Sequence, residues 1–522
     1  MTKYKFKKKP YKHQVAAIKR LFQIGYGGAL LMEPRTGKTK VAVDYASILH
    51  MKDEVSRVLV VGPVVAGGVW EEQLKDNCPV DYKYMIWDKK LRNQRKKDGK
   101  HYQPLPAFGN THLDVVFVNY DAFSSPGLRQ VNNKTGAVKR DEHGNIKRSR
   151  SRGGRYDVKR AIQRWQPQLI ILDESHRIKT PSAKKSTAIH SLHGIPSYRL
   201  LLTGTVVTKS KRLFDVYSQW KFLNPSRFID SVTKKPMTFG QFKARYGRWL
   251  ARDRYSKWLG NQHEEELHAL IHQDSFSITR EECYDLPPVT PQIIGIDLEE
   301  SAELYDRMAE DMVARIHTGE ITEASIRLVQ RLRLQQITSG ISKTTPSLDY
   351  PKGRLVVVGA EKLRAIENRL EDLMEADEKV VIGALFKADI LRLREMVQKK
   401  LKVPVFVIQG GMKHSDREYA WRQFPKVTGG AVFIGQPAAA GEAIDLSAAS
   451  ILQWYSLPSS WVNFIQFSDR IALSKKPVFH EFFLAKGTVD FMIKEALEED
   501  TDVGKMMITS PERLLRLRES TD

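Results

Sequence analysis

The stretch MEPRTGKTK contains glycine, lysine and threonine, three residue types that together bind nucleotide phosphates. Backbone N–H groups of a turn and of a helix N-terminus can hold a phosphate, so we expect Thr36 and Gly37 to contribute there. Lys38 would neutralise phosphate charge, and the Thr39 hydroxyl would bind Mg²⁺. Met32 stands where the usual G-x-x-x-x-G-K-[ST] pattern begins with glycine. Taken alone, the stretch is equally compatible with a plain helix N-terminus.

A pair of carboxylates follows an apolar run in the stretch LIILDESH. We interpret Asp173 as the residue that orients Mg²⁺ and Glu174 as the general base that polarises an attacking water. The alternative is an acidic strand-to-helix corner that caps the next helix. The Gly-Lys-Thr stretch upstream favours the catalytic interpretation, because a phosphate site needs carboxylates of this kind beside it.

Short apolar, β-branched runs position these residues, and helical patterns separate the runs. Continuous apolar runs are typical of parallel strands buried on both faces, so the sequence predicts an α/β fold. The run before MEPRTGKTK and the helical pattern after it give the strand–loop–helix context of a phosphate loop. The predicted strands are 28–32, 57–63, 113–120, 168–174 and 198–205 in the first half, then 378–385, 403–410, 430–436, 450–455 and 478–485.

The 522 residues are 41% hydrophobic and 28% charged, which is typical of a globular protein, and carry a net charge of +23. Such a charge attracts polyanions, so we expect a nucleic-acid partner, against the alternative that it serves solubility alone. The chain has no apolar run long enough to span a bilayer, and its basic N-terminus lacks the apolar stretch of a secretory signal. Two distant cysteines indicate a reducing cytoplasm and predict no zinc site.

The segment 126–160 is polar, glycine-containing and strongly basic. Without apolar periodicity it predicts a surface loop or hairpin. One interpretation is a solvated loop; the favoured one is a contact with nucleic-acid phosphates, since Lys and Arg release counterions there. The candidate residues are Lys139, Arg140, Lys147, Arg148, Arg150, Arg152 and Arg155.

The string LDESHRIKTPSAKKS resembles motif II of the SNF2-like branch of superfamily 2 helicases and translocases. Other stretches agree in order: KPYKHQVAAI resembles the adenine-recognition element, MEPRTGKT motif I, VVGPVVAGGVWEEQL motif Ia and LLTGTVVTKS motif III. In the second half, GEAIDLSAAS resembles motif V and SSWVNFIQFSDRIAL motif VI. A missing first glycine in motif I is common in this branch.

The resemblance implies an ATP-driven motor with two RecA-like parallel-sheet lobes and a mainly helical insert between them. We expect lobe 1 over 1–212, the insert and linker over 213–350, lobe 2 over 351–495 and a C-terminal helical tail over 496–522. ATP and Mg²⁺ are the implied cofactors, and the protein is expected to act as a monomer on duplex or branched DNA.

Further site residues come from the resemblance alone. Gln14 is expected to read adenine, and Glu33, Gly441 and Asp445 to contribute to nucleotide binding. Coupling roles are expected for His176, Thr203, Thr205 and Gln466, and Arg470 is the expected arginine at the γ-phosphate.

Motif VI departs from its usual two arginines, because Leu473 stands at the second position, and motif V has Ala443 where glycine is usual. Three interpretations stay open: Arg470 serves alone, Lys475 or Lys476 compensates, or ATP hydrolysis is slow. Lysine would replace an arginine's bidentate clamp only as a point charge.

The expected function is an ATP-dependent DNA translocase or helicase in replication, recombination or repair, of the small kind found in bacteriophages and bacteria. The alternatives are an RNA-directed helicase of the same superfamily and a DNA-binding scaffold with weakened ATPase activity. The aromatic and basic stretch from Tyr246 to Trp258 could contact bases, although its spacing is more typical of the core of a helical insert.

Overall fold

The structure, a computed structural model, describes residues 4–64, 66–87, 105, 111–124, 158–204, 213–252, 255–284, 289–317, 324–343, 354–441, 444–499 and 514–515. The chain forms two compact units, the first unit (Met1–Cys283) and the second unit (Tyr284–Asp522).

The first unit has nine strands and nine α-helices within its described residues. Its strands are β1 (Gly27–Met32), β2 (Arg57–Gly62), β3 (Tyr82–Ile86), β4 (Leu113–Asn119), β5 (Leu169–Asp173), β6 (Tyr198–Thr203), β7 (Gly247–Arg252), β8 (Tyr255–Asn261) and β9 (Ser275–Ile278). Its helices are α1 (Lys12–Ile24), α2 (Lys38–Met51), α3 (Ala66–Asn77), α4 (Val158–Trp165), α5 (Lys184–His190), α6 (Asp215–Leu223), α7 (Phe239–Tyr246), α8 (Glu264–Gln273) and α9 (Arg280–Cys283).

Seven strands of the first unit form one parallel sheet in the order β3-β4-β2-β5-β6-β1-β9. Successive residues of β5 face opposite cores: Leu169 and Ile171 belong to one apolar cluster, Ile170 and Leu172 to the other. Burial on both faces explains why this strand is a continuous apolar run. All five strands predicted in the first half are confirmed.

The segment 213–350, expected as an insert and linker, does not form a unit of its own. It is divided between the two units, and β9 within it joins the edge of the first sheet beside β1. Asp274, which is 1% exposed, stabilises this part of the segment through hydrogen bonds. Its carboxylate accepts hydrogen bonds from Tyr26 Oη, Trp220 Nε1 at 3.2 Å and Arg227 Nε at 2.6 Å.

Tyr246 ends helix α7, but the strands β7 and β8 that follow it form an antiparallel hairpin where a helix was expected. The core interpretation holds for two of the aromatic residues from Tyr246 to Trp258: Tyr246 is fully buried, and the Trp249 ring stacks on Phe214 with centroids 5.8 Å apart. The Trp249 indole also donates to Lys243 O at 2.9 Å. The Trp258 side chain lies outside the described side chains.

The second unit has a six-stranded parallel sheet in the order β10-β17-β16-β13-β15-β14 and a two-stranded antiparallel sheet of β11 and β12. Its strands are β10 (Val289–Ile296), β11 (Ile341–Lys343), β12 (Leu355–Val357), β13 (Lys379–Gly383), β14 (Val405–Ile408), β15 (Ala431–Gly435), β16 (Ile451–Trp454) and β17 (Val478–Ala485). Its helices are α10 (Ala302–His317), α11 (Ala324–Thr338), α12 (Glu361–Glu375), α13 (Lys387–Met396), α14 (His414–Gln423), α15 (Pro437–Ala440), α16 (Trp461–Ser468) and α17 (Val489–Glu498).

The second sheet is also buried on both faces. Val380 and Ile382 of β13 belong to one apolar cluster, and Val381 between them belongs to the other. All five strands predicted in the second half are confirmed. Of the expected tail over 496–522, the structure describes only the end of α17 and residues 514–515, where Leu514 is buried in the core. No described helix combines the length and the apolar character that crossing a membrane requires.

Candidate active site

The phosphate loop connects β1 to α2, as the strand–loop–helix pattern predicts. The Lys38 ammonium, in the first turn of α2, donates to Met32 O at 2.7 Å and to Glu33 O at 3.2 Å. Gly37 has φ of 86°, and a Cβ there would lie 2.2 Å from Gln14 Nε2. The left-handed backbone conformation therefore favours glycine at this position, and a side chain there would also displace the Gln14 amide.

Residues at the start of α1 form hydrogen bonds with the phosphate loop. Gln14 Nε2 donates to Thr36 O at 3.3 Å, and Gln14 Oε1 accepts from Tyr11 N at 3.1 Å. The His13 ring contacts the same Thr36 carbonyl at 2.9 Å. Gln14 thus braces the loop that it was expected to serve, and its reading of adenine remains a prediction.

Asp173, the last residue of β5, accepts hydrogen bonds from two aromatic side chains, one at its carboxylate and one at its backbone carbonyl. Trp70 Nε1 of α3 donates to Asp173 Oδ2 at 2.9 Å, and Tyr120 Oη donates to the Asp173 carbonyl at 2.9 Å. Burial raises the pKa of Asp173 to about 6, and the neighbouring Glu174 carboxylate adds to the rise. The Trp70 indole and the Lys38 ammonium act in the opposite direction.

Three neighbouring strands, β5, β6 and β1, bring these residues to one edge of the sheet. Asp173 pairs with Leu202, and Thr203, at the end of β6, pairs with Leu31. Parallel neighbours lie roughly 4.8 Å apart, so the ends of the three strands are close together. The influence of Lys38 on the pKa of Asp173 places the two charges within electrostatic range.

Glu174 begins the turn after β5 in a left-handed conformation, with φ of 52° and ψ of 55°. A residue other than glycine in this region costs of the order of 1–3 kcal/mol and is often found at functional sites. His176 Nδ1 lies 3.4 Å from Glu174 Oε2. Both side chains are partly exposed, so the carboxylate expected to act as general base can be reached by solvent.

The donors at this edge fit Mg²⁺. Burial and the neighbouring Glu174 disfavour the ionised form of the Asp173 carboxylate. A divalent cation beside the carboxylate would favour that form. Mg²⁺ usually takes one or two carboxylates and completes its shell with phosphate oxygens and water. Asp173 and the Thr39 hydroxyl would supply the protein ligands. Among the described residues, no group of three or more His, Cys, Asp or Glu is arranged to hold a metal ion.

In the second unit, the motif V segment follows the short helix α15. A Cβ on Gly441 would lie 2.6 Å from Pro437 O, so this turn requires glycine. Asp445 is exposed, and its Oδ1 accepts from Ser447 N at 2.9 Å. Their contribution to nucleotide binding remains a prediction.

Arg470 and Gln466 are buried in the second unit, at 6% and 5% exposure. The Arg470 guanidinium donates through Nε to Gln466 O at 2.7 Å and through Nη1 to Ile444 O at 3.4 Å, while its own carbonyl accepts from Leu446 N at 3.1 Å. Arg470 therefore fastens the motif V segment to the end of α16. Its expected role at a γ-phosphate remains a prediction.

Several predicted residues lie outside the described residues. The seven lysines and arginines between 139 and 155 and the motif III residue Thr205 belong to this group.

Sequence reasoning missed four residues that hold this site: His13, Trp70, Tyr120 and Arg280, whose Nε lies 3.2 Å from Glu33 Oε2. A signal existed for Trp70, which lies in the motif Ia stretch: a buried indole needs an acceptor, and an acidic strand end is a natural one. The other three contacts join residues that the sequence offers no way to pair.

Two family models match the chain. The SNF2-related domain matches residues 13–341, and the helicase conserved C-terminal domain matches residues 361–473. These ranges contain every site residue described above.

Curated relatives are distant and longer. A probable chromatin-remodeling complex ATPase chain of Oryza sativa subsp. japonica is 21% identical over 468 residues, which are 85% of this chain and 35% of the relative. The DNA excision repair protein ERCC-6-like of Danio rerio is 31% identical over 239 residues, 44% of this chain and 14% of the relative. The chain thus spans about a third or less of the length of these relatives.

A solved structure titled Sulfolobus solfataricus SWI2/SNF2 ATPase core in complex with dsDNA covers 99% of this chain, and the match covers 99% of that chain. The identity is 18% and the TM-score 0.40.

Proposed function

The chain belongs to the SNF2-related family, and on that premise we propose that it hydrolyses ATP and uses the energy to move along or remodel duplex or branched DNA. The observation that carries the proposal is the meeting of Lys38, Asp173 and Glu174 at one edge of the first sheet. A lysine and two carboxylates so placed are what phosphoryl transfer to water requires.

Each residue has a distinct task in this proposal. Lys38 neutralises charge on the phosphates, and Gly37 lets the backbone approach them. Asp173 and Thr39 would hold Mg²⁺, which when bound supplies charge stabilisation on the phosphate oxygens. Glu174 polarises the attacking water as general base, from a turn in a left-handed backbone conformation.

DNA as the partner is supported by the net charge of +23 and by the names of the relatives, which refer to chromatin remodelling and DNA repair. The proposed setting is replication, recombination or repair, with the protein acting as a monomer in the cytoplasm of a bacterium or a phage-infected host. An RNA-directed helicase is the alternative enzyme.

A second candidate function is a DNA-binding scaffold with weakened ATPase activity. It is favoured by Leu473 at the second arginine position of motif VI and by the burial of Arg470 among backbone carbonyls. Such a protein would bind ATP tightly without turning it over.

The test is phosphate release by the full chain in the presence of plain duplex, forks, Holliday junctions, single strands or RNA, at two salt concentrations. We expect stimulation by duplex or branched DNA, and Lys38→Ala should lower turnover by roughly 10²-fold or more. Phosphate-dominated binding should weaken steeply with salt. Tight ATP binding with no stimulated release would support the scaffold, and stimulation by RNA alone would support the alternative helicase.

A further inference from the structure

Glu33, the first residue of the phosphate loop after β1, is held through its N–H, its carbonyl and its side chain. Its N–H donates to Ile278 O of β9 at 3.1 Å. Its carbonyl accepts from Lys38 Nζ at 3.2 Å and from Thr36 Oγ1 at 2.8 Å. Since Glu33 O is one of two carbonyls that receive the Lys38 ammonium, the direction of this carbonyl helps to decide where the ammonium lies.

The side chain of Glu33 binds a single residue twice. Arg280, the first residue of α9, donates to Glu33 Oε2 through its backbone N at 3.1 Å and through Nε at 3.2 Å. The two side chains are 22% and 26% exposed, so water screens this pair less than a fully exposed one. The Glu33 carboxylate thus binds Arg280, and its expected contribution to nucleotide binding remains a prediction.

The loop needs such support, because its backbone is bent. Arg35 lies two residues after Glu33 with φ of 74°, a conformation that a side chain other than glycine rarely adopts. Backbone of this kind persists where surrounding contacts hold it. On the β9 side of the loop those contacts are the Glu33–Ile278 hydrogen bond and the Glu33–Arg280 pair.

We propose that Arg280 is a positioning residue for Lys38, acting through Glu33, so that it governs the affinity for the phosphates of a nucleoside triphosphate. This inference rests on the proposed function and deepens it. An ammonium is a point charge with three donors, and two of those of Lys38 go to Met32 O and Glu33 O. Arg280 fixes Glu33, and the Glu33 carbonyl fixes the position from which the ammonium meets a phosphate oxygen.

The experiment measures binding of a fluorescent ATP analogue with Mg²⁺ to the full chain, and displacement of that analogue by adenosine. Arg280→Ala should weaken analogue binding about tenfold. The affinity for adenosine, which has no phosphates, should stay within twofold. In a Glu33→Ala background, Arg280→Ala should cause no further loss, because the residue through which it acts is gone.

Two variants serve as controls. Arg245, near the end of α7, forms a comparable ion pair with Glu266 of α8. Arg245→Ala breaks that pair and should not alter binding of the analogue. Arg280→Lys keeps a positive charge and should recover part of the affinity, and it replaces the alanine variant if that variant unfolds. Partly exposed pairs add little to stability, so melting temperatures should agree within about 3 °C.

The inference is overturned if Arg280→Ala binds the analogue as tightly as the unaltered chain, or if analogue and adenosine weaken equally. Additive losses from the two alanine substitutions would also overturn it, since independent effects do not pass through one residue. An unaltered chain that fails to bind the analogue would instead count against the proposed ATP site itself.

Discussion

The two units place the charged residues of their motifs in different environments. At the edge of the first sheet, Lys38 and Glu174 are partly exposed and backed by fixed neighbours. In the second unit, the guanidinium of Arg470 is buried and bound to the carbonyls of Gln466 and Ile444. Motifs that are equally clear in the sequence therefore give partly exposed charged side chains in the first unit and a buried arginine that binds backbone carbonyls in the second.

The difference shows that a motif residue can serve either of two purposes, chemistry or the stability of its own unit. A partly exposed carboxylate in a strained turn is a candidate for a chemical role, because strained backbone of this kind is often found at functional sites. A buried arginine that satisfies backbone carbonyls stabilises its own unit, because leaving those acceptors unpaired costs free energy. Substitutions that separate turnover from stability distinguish the two cases.

Glu174→Gln should have the largest effect and should act on turnover alone. The amide cannot accept a proton from water, so kcat for phosphate release should fall by roughly 10²–10⁴-fold. The melting temperature should be nearly unchanged, since the side chain is partly exposed. Measured kcat and thermal unfolding of the same preparation check this, and retained turnover would remove Glu174 from the role of general base.

Arg470→Ala should act mainly on stability. The carbonyls of Gln466 and Ile444 lose a charged donor, so the second unit should lose roughly 1–3 kcal/mol of unfolding free energy. Hydrogen exchange over 444–470 and urea unfolding measure the loss. Arg364→Ala, which breaks an exposed pair with Glu300, is the matched control and should cost less than about 1 kcal/mol. Normal stability with abolished turnover would instead support Arg470 as the arginine at the γ-phosphate.

Trp70→Phe tests whether the site at the edge of the first sheet depends on the hydrogen bond from Trp70 to Asp173. The change removes the N–H that binds Asp173 Oδ2, and a hydrogen bond of about 1 kcal/mol corresponds to about a fivefold loss of kcat. A weaker response to Mg²⁺ titration in nucleotide binding should accompany it. Trp165→Phe is matched in size and burial, and in the described structure the Trp165 indole N–H has no hydrogen-bond partner. An equal loss in both variants would attribute the effect to packing.

Lys476→Ala should have the smallest effect. The lysine forms an exposed pair with Glu378 at 2.6 Å, which should contribute less than about 0.5 kcal/mol. Turnover should stay within about twofold of the unaltered chain. A drop of tenfold in DNA-stimulated phosphate release would show that this lysine compensates for Leu473, one of the interpretations left open by motif VI.

Much of the fold follows from the sequence, because strands buried on both faces leave continuous apolar runs that few other structures produce. β3 was not predicted, because its sequence, YKYMI, mixes polar and apolar residues and none of its five residues is fully buried. β9 has four residues and follows a helix directly, so its apolar signal is short. The β7–β8 hairpin was read as helix, because aromatic spacing alone does not separate the two.

The candidate site was predictable where one motif supplies a residue and its chemistry together, as for Lys38, Asp173 and Glu174. It was not predictable where a role depends on distant partners. The Trp70–Asp173 hydrogen bond and the Glu33–Arg280 pair join residues far apart in the chain. The burial of Arg470 likewise depends on where a neighbouring segment folds back, which no local pattern records.

The pairing of β9 with β1 has a consequence for how this protein is made. Ala29 pairs with Ser275, so the edge of the first sheet stays open until nearly the whole first unit has left the ribosome. Fragments cut at residue 212 would expose β1 as an unprotected strand edge, a template for aggregation. Recombinant versions of the first unit should therefore extend to Cys283.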